Sequence, residues 1–131
     1  MCGKMKYNNK IISIRDVVTA ATPDGEVISA PWKGYARAET IKEVWVSRQP
    51  KKVRVKIDSY LEKNHWFKVG DKNWVVGIIA DSPTKEGRGF YLVTRAATPF
   101  ERKMSNHNRS PVLGYKPIYA GEQKVLAFSR V

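Results

Sequence analysis

The only cysteine of the chain is its second residue, in Met1-Cys2-Gly3-Lys4. Packing does not ask for a cysteine there, because chain ends are usually exposed and poorly ordered. Removal of Met1 by an aminopeptidase that favours a small second residue would leave Cys2 with a free α-amine beside its thiol. Reference pKa values of roughly 8 for the amine and roughly 8.5 for the thiol keep both partly nucleophilic near neutrality. An aldehyde would condense with the amine to an imine, and the thiol would then close a five-membered thiazolidine. The second bond forms intramolecularly, with a large effective-molarity gain. The plain alternative is an accidental cysteine at a frayed end.

Other side chains could serve such chemistry. Glu62 interrupts a β-rich stretch; its default place is the surface, but turned inward it would be a carboxyl with a raised pKa suited to proton transfer. His107 follows a capped helix in Asn106-His107-Asn108-Arg109, where a helix-to-loop junction can aim a side chain into a cleft; His65 lies within a strand run. Arg37, in Tyr35-Ala36-Arg37-Ala38-Glu39-Thr40, has the forked donors that grip a phosphate. Of the four tryptophans, Trp32 is expected on a ligand surface, because Pro31 and Gly34 flank it in an apparent loop. No metal-ligand spacing, phosphate-binding loop or dinucleotide fingerprint occurs, so neither a cofactor nor a metal is expected.

The elements that must position these residues are mostly short strands. Residues 10–18 and 90–96 read as strands, 74–80 (WVVGIIA) as a buried strand, and 59–69 as one continuous strand. Lys51–Asp58 alternates strictly, so Val53, Val55 and Ile57 should face the core while Lys52, Arg54 and Lys56 form a basic outer face. Thr22-Pro23-Asp24-Gly25-Glu26 is a turn signal, and 30–34 reads as a loop. Thr40 and Glu43 match a capping box opening a helix over about 41–47, with Ile41, Val44 and Trp45 on one face. Thr98 and Glu101 match another, with Pro99 at the first helical position, and that helix ends near Ser105–Asn108. Residues 123–131 read as a final strand. The class is α+β: a curved, barrel-like antiparallel sheet with a few short helices.

At 131 residues the chain reads as one domain, spanning 1–131, able to bury a real core. Its net charge of +12 favours a polyanionic partner, nucleic acid above all. A single cysteine excludes an internal disulfide and a cysteine-rich zinc site, which points to a reducing compartment. No signal-peptide core is apparent, and the longest aliphatic run is too short for a bilayer. A cytoplasmic, nucleoid-associated monomer with no membrane partner is expected.

Four stretches in order, Met1-Cys2-Gly3-Lys4, APWKGYARAET (30–40), IDSYLEK (57–63) and NHNRSPVLG (106–114), together resemble the SRAP family of SOS-response-associated peptidases and abasic-site processing proteins. Members begin Met-Cys-Gly-Arg and carry Asn-Ala-Arg-(Ala/Val)-Glu-Thr, a strand ending in a glutamate, and a His-Asp-Arg-like segment. The resemblance implies an SRAP-like fold. It also implies a covalent thiazolidine crosslink between mature Cys2 and the ring-opened aldehyde of an abasic site in single-stranded DNA, and a possible role for the thiol in autopeptidase chemistry. By the same resemblance Glu62 assists proton transfer at Cys2, His107 handles protons during ring opening and reversal, and Arg37 and Arg109 contact the DNA backbone. Lys4 stands where the family has arginine, and Tyr35 where it has an active-site asparagine. A phenol cannot supply an amide's donor and acceptor together. A non-catalytic single-strand-binding module therefore stands as the alternative, with Lys4, Arg37, Lys52, Arg54 and Lys56 as its cations. A thiol autopeptidase is a further one.

Overall fold

A computed structural model of the chain describes residues 3–70, 73–84, 87–105, 108–115, 119–120 and 124–125. Two sheets and two short α-helices make a mixed α+β protein that is mostly strand. The smaller sheet contains β1 (Lys4–Tyr7), β2 (Lys10–Ser13), β6 (Ser59–Glu62) and β7 (His65–Lys68), in the order β2-β1-β6-β7. The larger contains β3 (Val17–Ala21), β4 (Val27–Arg37), β5 (Lys51–Val55), β8 (Asn73–Asp81), β9 (Arg88–Ala96), β10 (Arg109–Pro111) and β11 (Leu113–Tyr115). Its order is β10-β9-β4-β3-β5-β8-β11, and β8 also pairs with β9, so five strands close into a partial ring. A separate pair, β12 (Tyr119–Ala120) and β13 (Lys124–Val125), accounts for only part of the strand expected over 123–131; residues 126–131 lie outside the described residues.

The sheet is not wholly antiparallel as expected: β4 and β9 run parallel, with Trp32 opposite Phe90 and Arg37 opposite Thr94. A parallel pair needs a long crossover, and the intervening chain, which forms α1 (Ile41–Val44) and β5 to β8, supplies it. Lying between β4 on one side and β8 and β10 on the other, β9 is buried along nearly its whole length, which is why it reads as a continuous apolar run. Phe90 and Leu92 join one core cluster with Met5, Trp32, Val53 and Tyr60. Tyr91 and Val93 join a second with Ala36, Trp45 and Ile78. The period-2 alternation of one strand thus ties two cores together.

Several local expectations are corrected. Residues 59–69 fold as a hairpin rather than one strand: β6 pairs with β7 in a register that sets Glu62 opposite His65, and Lys63 turns the chain at φ 55°. Residues 30–34 are strand, within β4, and Trp32 is fully buried with its indole N–H donating to the Gly34 carbonyl at 3.0 Å. The predicted helix over 41–47 is one α-turn flanked by 3-10 turns, with Val44 exposed and Trp45 buried. Its capping box does not form, because the Thr40 hydroxyl turns back to the Arg37 carbonyl at 3.4 Å. The second capping box forms reciprocally at α2 (Pro99–Ser105): Thr98 N–H donates to Glu101 Oε1 at 2.8 Å, and Glu101 N–H donates to Thr98 Oγ1 at 3.2 Å. Among the described residues no helix is long and apolar enough to cross a membrane.

Gly77 on β8 leaves room for the Phe90 ring of the neighbouring strand β9, for a Cβ there would run into that ring. Gly77→Ala is expected to destabilise the fold by about 1–3 kcal/mol, the cost typical of overpacking. Thermal unfolding checks this; a midpoint equal to that of the parent chain would show that Phe90 can yield.

Candidate functional site

Cys2 and His107 lie outside the described residues, so the site is built from what flanks them. The pairing of β1 with β6 sets Lys4 opposite Leu61, and Gly3 N–H donates to the Leu61 carbonyl at 3.2 Å. One further step of that antiparallel register brings position 3 opposite Glu62. The chain next to Cys2 is therefore laid against the end of β6. Glu62 has no exposed surface. Burial pushes its carboxyl above the ordinary carboxylate range, and the nearby negative charge of Glu101 pushes the same way. The inward alternative for Glu62 is the one the fold adopts.

Glu101 is held by two devices at once. The capping box fixes its backbone and one oxygen, and Arg95 on β9 donates to Oε1 at 2.9 Å and to Oε2 at 3.0 Å. The Arg95 hydrogen bonds, with help from Thr98, hold the Glu101 carboxyl down at a pKa of about 2 despite partial burial. One α-helix start and one strand end thus keep a charged carboxylate close to a carboxyl that burial favours in its neutral form.

A second ion pair sits on the next strand over. Arg109, at the start of β10, donates to both oxygens of Glu39 at 2.7 and 2.9 Å, and also to the Thr94 carbonyl at 2.8 Å. This bidentate contact lowers the Glu39 carboxyl to about 2. Arg37 is exposed at the end of β4, opposite Thr94, and its charge also favours ionised Glu39. Position 108 is fixed as well, since Ala97 N–H donates to the Asn108 carbonyl at 2.8 Å. The segment 94–97 is therefore a hub: its Arg95 holds Glu101, its Thr94 grips Arg109, and its Ala97 pins Asn108.

The remaining candidates disperse. Tyr35 is half-buried, its ring edge-on to Trp32 at 6.0 Å between centroids. Trp32 itself is core, which corrects its expected place on a ligand surface. The basic face expected on β5 is broken at Arg54, which is fully buried. Its guanidinium reaches across β8 and occupies the space a side chain at Gly114 would need, and burial lowers its pKa to about 10. Lys52 and Lys56 remain exposed but line separate depressions, Lys52 with Glu39 and Glu43, Lys56 with Tyr7 and Trp74. Lys4 is exposed on β1.

Compared with protein families, curated proteins and solved structures, the chain gives no match. The site therefore rests on its own geometry. Three of its working parts, Glu39, Arg95 and Glu101, went unassigned as site residues in the sequence, although Glu101 stands in the capping box and Glu39 beside Arg37.

The acid side of the stability curve follows from Glu101. Folding lowers its pKa, so its contribution is complete above the ordinary carboxylate range and fades as the pH falls toward about 2. Glu101→Gln keeps the capping shape and removes the charge. Loss of a partly solvated ion pair should cost about 1 kcal/mol at neutral pH, and the melting curves of the two proteins should converge near the acid limit. A gap that persists unchanged at low pH would show that the charge is not what Arg95 holds.

Proposed function

We propose that the protein captures abasic sites in single-stranded DNA through a thiazolidine formed by Cys2 after removal of Met1. The observation that carries this reading is the fully buried Glu62 carboxyl, its pKa raised by burial, at the strand position facing Gly3. Thiazolidine formation needs a group that first gives a proton and then takes one back. The Cys2 amine adds to the aldehyde carbon to give a carbinolamine. Protonated Glu62 donates to the carbinolamine hydroxyl, which leaves as water, and an iminium forms. The thiol sulfur adds to the iminium carbon, and its proton returns to the Glu62 carboxylate. The net change is aldehyde plus aminothiol to thiazolidine and water, with Glu62 restored. The upward shift that burial gives Glu62 favours the protonated form this first donation draws on.

Arg37 and Arg109 are the cations this reading assigns to the DNA backbone. Arg109 reaches a phosphate only by exchanging Glu39, whose side chain is about half exposed. His107 remains the assigned proton carrier for reversal. The turn of Tyr35 toward Trp32 supports the second reading, a single-strand-binding module without the covalent step.

The two readings part on one experiment. Protein with Met1 removed, verified by mass spectrometry, is incubated with single-stranded DNA bearing an abasic site. A heat-stable adduct is expected, absent in Cys2→Ala and formed about a hundredfold more slowly in Glu62→Gln, the size typical of a lost acid–base group. Glu62→Gln should fold normally, because it replaces a carboxyl that burial already disfavours as an anion. DNA binding with no adduct from the processed protein would leave only the binding module.

A further inference from the structure

The residues assigned so far gather at the C-terminal ends of β4 and β9. Beside the middle of β4 and the N-terminal half of β9 lies an open groove of about 760 Å³, formed by residues 14–15, 31–35, Trp45, Arg48, 82–84 and Tyr91. Three of its lining side chains are cations, Arg15, Lys33 and Arg48, and none of its described lining residues is acidic. We propose that this groove holds the phosphodiester backbone of single-stranded DNA, on the strand flanking the lesion. The inference rests on the single-stranded DNA reading above and deepens it by naming where the flanking nucleotides lie.

Each cation is presented differently, and each presentation suits an anion. Arg48 sits against two rings, with its guanidinium carbon 3.9 Å from the Trp45 centroid and 4.9 Å from that of Tyr91. It donates through Nε to the Asp81 carbonyl at 2.7 Å and through Nη2 to the Tyr91 hydroxyl at 2.8 Å. Those contacts fix the guanidinium plane and leave Nη1 without a hydrogen bond among the described residues. Arg15 stands at the lip, exposed, at φ 83°, a left-handed conformation that costs an arginine on the order of 1–3 kcal/mol. Its N–H donates to the Trp32 carbonyl at 2.8 Å, which holds the turn in place. Lys33 is exposed, and its stem lies over Gly89, where any side chain would displace it. Neither Arg15 nor Lys33 makes a side-chain hydrogen bond or ion pair among the described residues. Arg95 and Arg109 are held by carboxylates; these two cations are not.

Strand β4 also connects the groove to Arg37. Lys33 and Arg37 lie on one strand, about 13 Å apart at the usual rise per residue. A single strand following β4 would pass from Lys33 to Arg37 across the half-buried Tyr35. The concave, open shape suits a flexible strand, whereas the phosphates of a stiff duplex cannot follow it.

The test uses non-covalent binding, read by fluorescence anisotropy in the Cys2→Ala background with a labelled single strand that has no abasic site. The variant pairs Arg15→Asn, since asparagine tolerates the left-handed turn, with Lys33→Gln. Both positions are exposed, so folding should survive. Expected are roughly tenfold weaker binding at low salt and a log–log salt slope shallower by about 1.4, two phosphate contacts at roughly 0.7 each. An unchanged affinity and slope would overturn the groove, as would an equal effect on a duplex of the same sequence, which would mark a general cation patch. Crosslinking is scored separately in protein with intact Cys2. Its absence alongside a weakened groove variant removes the abasic-site reading and leaves the groove; intact crosslinking with unaffected binding removes the groove alone.

Discussion

Putting the Glu62 carboxyl out of reach of water is the constraint from which the rest of the site follows. An ionised carboxylate is expensive in an apolar interior, so the group shifts toward its neutral form instead. A second carboxylate nearby would ordinarily make that worse for both. The chain resolves the conflict by committing Glu101 to the charged form, with Arg95 and the Thr98 capping box as its partners. Two carboxyls close together are thereby pushed in opposite directions, one up and one down to about 2. Divergent pairs of this kind are how one site keeps an acid and an anion at the same pH.

That division of labour depends on β9. The strand must be straight and buried to pair with β4, β8 and β10, yet its last residues must meet a helix start and the β6 hairpin end. The parallel pairing with β4 makes this possible. It brings Arg37 level with Thr94, so that the segment leaving β4 delivers Glu39 to Arg109 on β10. An antiparallel arrangement would have sent the chain after Arg37 toward the other end of β9. The long crossover that permits the parallel pair also contains the β6–β7 hairpin, so the element that carries Glu62 is part of the connection that positions its neighbours.

The parts of this arrangement that were legible in the sequence are those set by local chemistry. The apolar runs of β8 and β9, the turn at Gly25 and the capping box at Thr98 each depend on residues close in sequence. The parts that were not legible depend on distant residues. Arg54 obeys the alternation of its strand, but Gly114, sixty positions on, leaves room for its guanidinium and turns an outward position into a buried one. Trp32 sits between a proline and a glycine that suggest a loop, yet pairing with β9 absorbs both as strand with a register shift after Trp32. The turn at Lys63 needs a left-handed lysine, which has no signature of the kind glycine provides. Glu62 showed itself only as a conditional: its chemistry was readable if it pointed inward, and tertiary packing alone decides that.

The arginines show why a net charge of +12 is a poor measure of what an anion would meet. Arg54 is spent inside the fold against a glycine, with burial lowering its pKa to about 10. Arg95 and Arg109 are each held by a carboxylate through paired hydrogen bonds, so an incoming phosphate competes with a charge already seated. Arg88 is likewise tied to Asp81 at 2.8 Å. Arg48 is immobilised on two aromatic rings but keeps part of its donor edge clear, and Arg15 is held out by its backbone alone. Attraction at long range comes from the sum of these charges, whereas the path of a bound strand is set by the few that no internal carboxylate has claimed. By that criterion Arg15, Lys33 and the clear edge of Arg48 are the cations beside β4 that an anion would meet first, with Arg37 exposed at the end of the same strand.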